Sequence, residues 1–67
     1  MKKTYEIYGG YHNVLTPIRI KADPEIVESN GILGAVSDAT ATRIRRHMCG
    51  IKGCMCDVHH GWIIEQV

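Results

Sequence analysis

Apolar and polar residues alternate twice near the start of the chain. In Thr4-Tyr5-Glu6-Ile7-Tyr8 the aromatic and branched residues are spaced by polar ones. A strand sends successive side chains to opposite faces, so Tyr5 and Ile7 are expected on one face and Glu6 and Tyr8 on the other. Gly9-Gly10 ends this segment, and Asn13 offers a turn. Alternation then resumes from Leu15 to Ala22. Ile18, Ile20 and Ala22 fall on one face, Arg19 and Lys21 on the other. Pro17 has no N–H to give a ladder, which predicts a strand start or a sheet edge. Together the two segments predict a hairpin with a longish loop.

Further on, the period changes. Ala41, Ile44 and Met48 recur at i, i+3 and i+7 and make one narrow apolar stripe on a helix. Ser37 is a good N-cap, and Asp38 suits the positive end of the helix. The helix is expected to run to Met48 or Cys49, with Gly50 as a left-handed C-cap. Upstream, Asp23-Pro24-Glu25 has the order of a second helix start: a cap, a proline at the first position and an early acid. Only Ile26 to Ser29 follow before Asn30-Gly31, which predicts a single turn. Gly31 to Val36 is apolar without a period and receives no assignment. Cys54 to Val58 and Trp62 to Val67 are expected as strands joined by a His59-His60-Gly61 turn. The expected order is β-β-α-β-β: an α+β domain with one main helix packed on an antiparallel sheet.

Length sets a limit on this picture. At 67 residues the chain makes one domain, spanning 1–67, and buries little core. A metal, disulfides or a partner subunit is expected to help it. With 45% hydrophobic and 22% charged residues it should fold, not stay disordered. The net charge of +1 gives no global pull toward nucleic acid or membrane. Met1-Lys2-Lys3 starts like a signal peptide, but no apolar segment follows, and no apolar run is long enough to span a bilayer. A cytoplasmic protein without membrane contact is expected. Three cysteines is an odd number, which argues against a closed disulfide framework within one chain. In a reducing cytosol they are thiols or metal ligands.

Charge and candidate chemistry gather in one place. Arg43, Arg45 and Arg46 lie within four residues, and arginine forks match phosphate and carboxylate oxygens. They form a candidate anion site; the plainer reading is a solvated helix face. His47, Cys49, Cys54 and Cys56 follow at once, with His59 and His60 behind them. Three thiolates and one imidazole would complete a tetrahedral zinc site, with His47 or His59 as the best fourth ligand and His60 as a further choice. The spacing lacks a C-x2-C knuckle, however, and thiols on a strand also pack as small core hydrophobes. A nucleophilic cysteine paired with histidine lacks an evident third orienting group. The second cluster is Tyr8-Gly9-Gly10-Tyr11-His12-Asn13. Its paired glycines permit close backbone approach to a ligand. Tyr8 and Tyr11 could stack on a base, while His12 and Asn13 could bond its edge. The plainer reading is an ordinary hairpin loop. Trp62, the single tryptophan, is expected to close the core. Neither G-x-G-x-x-G nor G-K-[ST] is present, which disfavours dinucleotide chemistry and ATP hydrolysis. No paired carboxylates or triad stand out, so an enzyme ranks last.

The Y-G-G-Y-H-N segment followed by R-R-H-M-C-G-I-K-G-C-M-C resembles small uncharacterised proteins of phages and prophages. The likeness covers residues 5–13 and 43–56, about a third of the chain. It implies a bacterial cytoplasmic setting and a role in phage–host conflict. Small phage proteins of that kind are often oligomeric and bind host proteins or sequester nucleotide signals. The leading expectation is therefore a non-enzymatic homo-oligomer that binds an anionic, nucleotide-type small molecule. Arg43, Arg45 and Arg46 would hold phosphates, and Tyr8, Tyr11, His12 and Asn13 would contact base or sugar. Two alternatives stand beside it. One is a zinc-stabilised nucleic-acid-binding module, against which the near-neutral charge counts. The other is a protein–protein inhibitor of a host factor that uses Ile32, Leu33 and Val36 as exposed apolar surface.

Overall fold

The computed structural model describes residues 1–50 and 60–67. They form an α+β domain of three strands and two helices. The elements are β1 (Lys3–Gly9), β2 (Val14–Ala22), α1 (Pro24–Gly34), α2 (Asp38–Met48) and β3 (Trp62–Gln66). The sheet is antiparallel with order β2-β1-β3, so the first strand is central and the last strand is added beside it.

The alternation in β1 and β2 lies as the sequence predicts. Tyr5, Ile7, Ile20 and Ala22 are buried on one face, where Tyr5 pairs with Ile20 and Ile7 with Ile18. Glu6 pairs with Arg19 on the other face. Pro17 lies on an edge strand, as its missing N–H requires. Ser37 caps α2 by accepting from the Thr40 N–H at 3.2 Å. The stripe of Ala41, Ile44 and Met48 is buried, and Ile44 and Met48 join Tyr5, Ile7, Ile20, Ala22, Ile32 and Trp62 in one core. The four large side chains fully withdrawn from water are Ile7, Ile32, Ile44 and Met48. Burying each contributes about 1.5–3 kcal/mol.

The expected order is corrected in one respect: a second helix stands where a single turn was expected, giving β-β-α-α-β among the described residues. Asp23 does cap α1, accepting from the Glu25 N–H at 2.9 Å, and Pro24 opens it. Asn30-Gly31 does interrupt the helix, as the sequence predicts, but only after about two turns and not one. Gly31 takes φ 79° and ψ 170°, a conformation open to glycine, and the chain then re-enters helix to Gly34. The return buries Ile32, which is 1% exposed, and packs Leu33 and Val36 against the core. Ile32 is thus core material and not exposed apolar surface, while Leu33 and Val36 are half-buried against it. A second correction concerns the end of α2. Cys49 caps it in an extended conformation (φ −149°, ψ 100°), and Gly50 is not left-handed. The expected strand Cys54–Val58 lies outside the described residues. No helix among the described residues is long and apolar enough to cross a membrane.

Both helices lie on one face of the sheet. Across the other face, the β1–β3 register sets Glu6 directly opposite Glu65. Like charges in that position repel. Each carboxylate has its own partner: Arg19 Nε donates to Glu6 at 2.8 Å, and the Tyr8 hydroxyl donates to Glu65.

Candidate functional site

The arginines stand where the helical period puts them. With Ile44 facing the core, Arg43 and Arg45 flank the outer side of α2 and Arg46 points away from the sheet. All three are exposed, and none forms an ion pair among the described residues. Arg45, Arg46 and His47 occupy the last helical turn, where positive charge complements the negative end of the helix dipole.

His47 lies on the flank of the same turn and reaches the sheet. Its Nε2 contacts the Thr16 carbonyl oxygen on β2. A carbonyl can only accept, so Nε2 carries the proton and Nδ1 is left as the acceptor of the neutral ring. That contact ties the end of α2 to the edge strand. If His47 binds a metal in this tautomer, it does so through Nδ1. Cys49 is half-buried and packs against the core cluster. Among the described residues no group of three or more His, Cys, Asp or Glu side chains could hold a metal. Cys54, Cys56 and His59 lie outside the described residues.

The hairpin loop carries the second cluster. Asn13 N–H closes it on Gly10 O at 3.0 Å, and Gly10 N–H reaches across to Gly61 O at 3.2 Å. Gly10 has φ +77°, and a Cβ there would stand 2.8 Å from Trp62 Cδ1 and 3.6 Å from Met48 Cε. The close approach that this glycine allows is therefore to the Trp62 ring. The same contact sets the loop beside the last turn of α2, which carries Met48. Tyr11 is 76% exposed and stacks on His60, with centroids 4.9 Å apart and planes 13° from parallel. His12 and Asn13 are exposed beside it.

The expected site residues are thus brought together only in part. Tyr11, His12 and Asn13 share one end of the molecule with Arg45, Arg46 and His47. Tyr8 is separated from them. It sits on the open face of the sheet opposite α2, pairs with Ile63 across the strands, and bonds Glu65. That bond, with burial and the charges of Glu65 and Glu6, raises the Tyr8 pKa above its usual value of 10.0. The sequence reading omitted Glu65 and the stacking of His60 on Tyr11. The alternation of Glu6 with Tyr8 pointed to a shared face, but nothing local showed that β3 would deliver Glu65 to it.

No protein-family model, no curated protein and no solved structure matches the chain.

Proposed function

We propose that this chain is a non-enzymatic binding protein whose α2 terminus takes an anionic, nucleotide-type ligand. The observation that carries this reading is the set of three exposed arginines on α2 without a carboxylate partner among the described residues. A solvated helix face ordinarily mixes signs at i, i+4 spacing, whereas residues 43–47 of this helix hold no acid. Arg45 and Arg46 would grip phosphate oxygens in bidentate fashion. Tyr11, already stacked on His60 and widely exposed, would extend that stack to a base. Tyr8 has no part in this site. In the phage–host setting that the resemblance implies, such a protein would act by sequestering its ligand.

The experiment is a titration of the purified protein with fluorescent nucleoside mono-, di- and triphosphates and a short single-stranded RNA at 50 and 200 mM salt. We expect affinity to rise with phosphate number. We expect the triple substitution Arg43→Ala, Arg45→Ala, Arg46→Ala to lower it at least tenfold, since a hydrogen bond to a charged group contributes about 1.5–3 kcal/mol. Tyr11→Ala should weaken nucleotides and leave inorganic polyphosphate unchanged. Binding to RNA alone, falling steeply with salt, would move the reading to nucleic acid. Absence of binding in every arm removes the proposal.

A further inference from the structure

We propose that the outer edge of β3 pairs antiparallel with β3 of a second copy, joining two three-stranded sheets into one of six strands. The phase of the ladder fixes which groups are on offer. Val67 N–H bonds Thr4 O at 2.8 Å, and Gly10 N–H bonds Gly61 O at 3.2 Å. Residues 61, 63, 65 and 67 therefore turn their backbone groups toward β1. Trp62, Ile64 and Gln66 turn theirs outward, where no described residue receives them. The helices pack chiefly over the other two strands, α2 over β1 and β2 and α1 over β2.

The two edges of the sheet are built differently. The β2 edge holds Pro17, which has no N–H, and the charged Arg19 and Lys21. Proline and cations are the usual means by which an edge refuses a further strand. The β3 edge, Trp62-Ile63-Ile64-Glu65-Gln66, has no proline and no cation. Its one charge restricts the register. Centred on Ile64, Trp62 of one copy opposes Gln66 of the other and Ile63 opposes Glu65, so no like charges meet. Every outward residue is then used in pairs that exchange two backbone bonds. A slip that centres Glu65 on its own copy would set two carboxylates face to face, at a cost in stability. The strand can thus pair with its own copy without setting like charges face to face, as a two-fold contact requires. This inference does not depend on the arginine site.

Sedimentation equilibrium of the full chain under reducing conditions tests it, with far-UV circular dichroism on each variant. We expect a monomer–dimer equilibrium. Ile63 is 45% exposed and faces away from the core, so Ile63→Glu and Ile63→Lys should both fold. Ile63→Glu sets two acid pairs across the dimer and should weaken it about tenfold, whereas Ile63→Lys meets Glu65 and should not weaken it. Ile64→Pro removes the central outward N–H and should abolish dimerisation. If that variant does not fold, the opposite responses of the two Ile63 variants decide. Amide exchange at Ile64 and Gln66 should slow as concentration rises. A single-chain mass at every concentration, as an edge covered from within the chain would give, overturns the proposal. So does a dimer indifferent to all three substitutions.

Discussion

Gly10 shows how one missing methyl group fixes the corner of this fold. Its φ of +77° and the Trp62 ring against its α-carbon act together. Gly10→Ala would meet both the strained backbone and a 2.8 Å clash with Cδ1. We expect a loss of about 2–4 kcal/mol, from overpacking and a left-handed non-glycine residue combined, measured by urea denaturation. Tryptophan fluorescence should shift at the same time, because the ring must move. A second residue-scale test concerns Tyr8. Its raised pKa means that the fold favours the neutral phenol, which donates to Glu65. The stability this provides is fully present below pH 10 and is lost as pH rises through the higher folded value. Stability measured from pH 8 to 12 should therefore fall more steeply in the wild type than in Tyr8→Phe. Equal slopes would show that the Tyr8–Glu65 bond is not formed in solution.

Among the elements, α1 and α2 differ in how much of them a reader of the sequence can see. The stripe of Ala41, Ile44 and Met48 is regular, Ser37 precedes it, and the burial follows. The dipeptide Asn30-Gly31 carries the local signature of a stop, and the helix does break at Gly31, but a further turn resumes beyond it. The reason is tertiary: resuming the helix drives Ile32 into the core, and no periodicity within residues 24–36 announces that gain. Gly31 makes the detour feasible. A Cβ there would touch nothing within 4 Å, so the restriction is conformational and not steric. Gly31→Ala should destabilise the domain by about 1–3 kcal/mol despite the open space, and thermal unfolding would record it. Equal or higher stability would mean that α1 straightens without loss. The hairpin was likewise legible, because its alternation is local. The placement of Tyr8 away from the arginines was not. It depends on β3 joining β1 at a separation of 57 residues between Tyr8 and Glu65.

For the whole molecule, both described helices pack on one face of the β2-β1-β3 sheet. A two-fold axis midway between the two Ile64 residues, normal to the sheet, would keep both pairs of helices on a common side. Two arginine-bearing helices would then face the same way, and a long polyanion could touch both. The proposed ligand site needs only one copy, so loss of dimerisation should leave mononucleotide binding intact. Binding of longer polyanions should weaken with it.

The charges have a further consequence. Asp23 and Glu25 begin α1 near Lys3, at the end of β1 away from the loop. Arg45, Arg46 and the end of α2 lie beside Gly10 at the other end, one strand length or about 20 Å away. Asp23 and Glu25 have Lys3 for a neighbour, whereas Arg45 and Arg46 form no ion pair among the described residues. A net charge of +1 is therefore a poor guide to the field. At distances well beyond the Debye length, about 10 Å in 0.1 M salt, the protein is close to invisible to an ion. Nearer than that, the exposed Arg43, Arg45 and Arg46 make the end of α2 locally positive among the described residues, and a polyanion drifting past would be drawn to that end first.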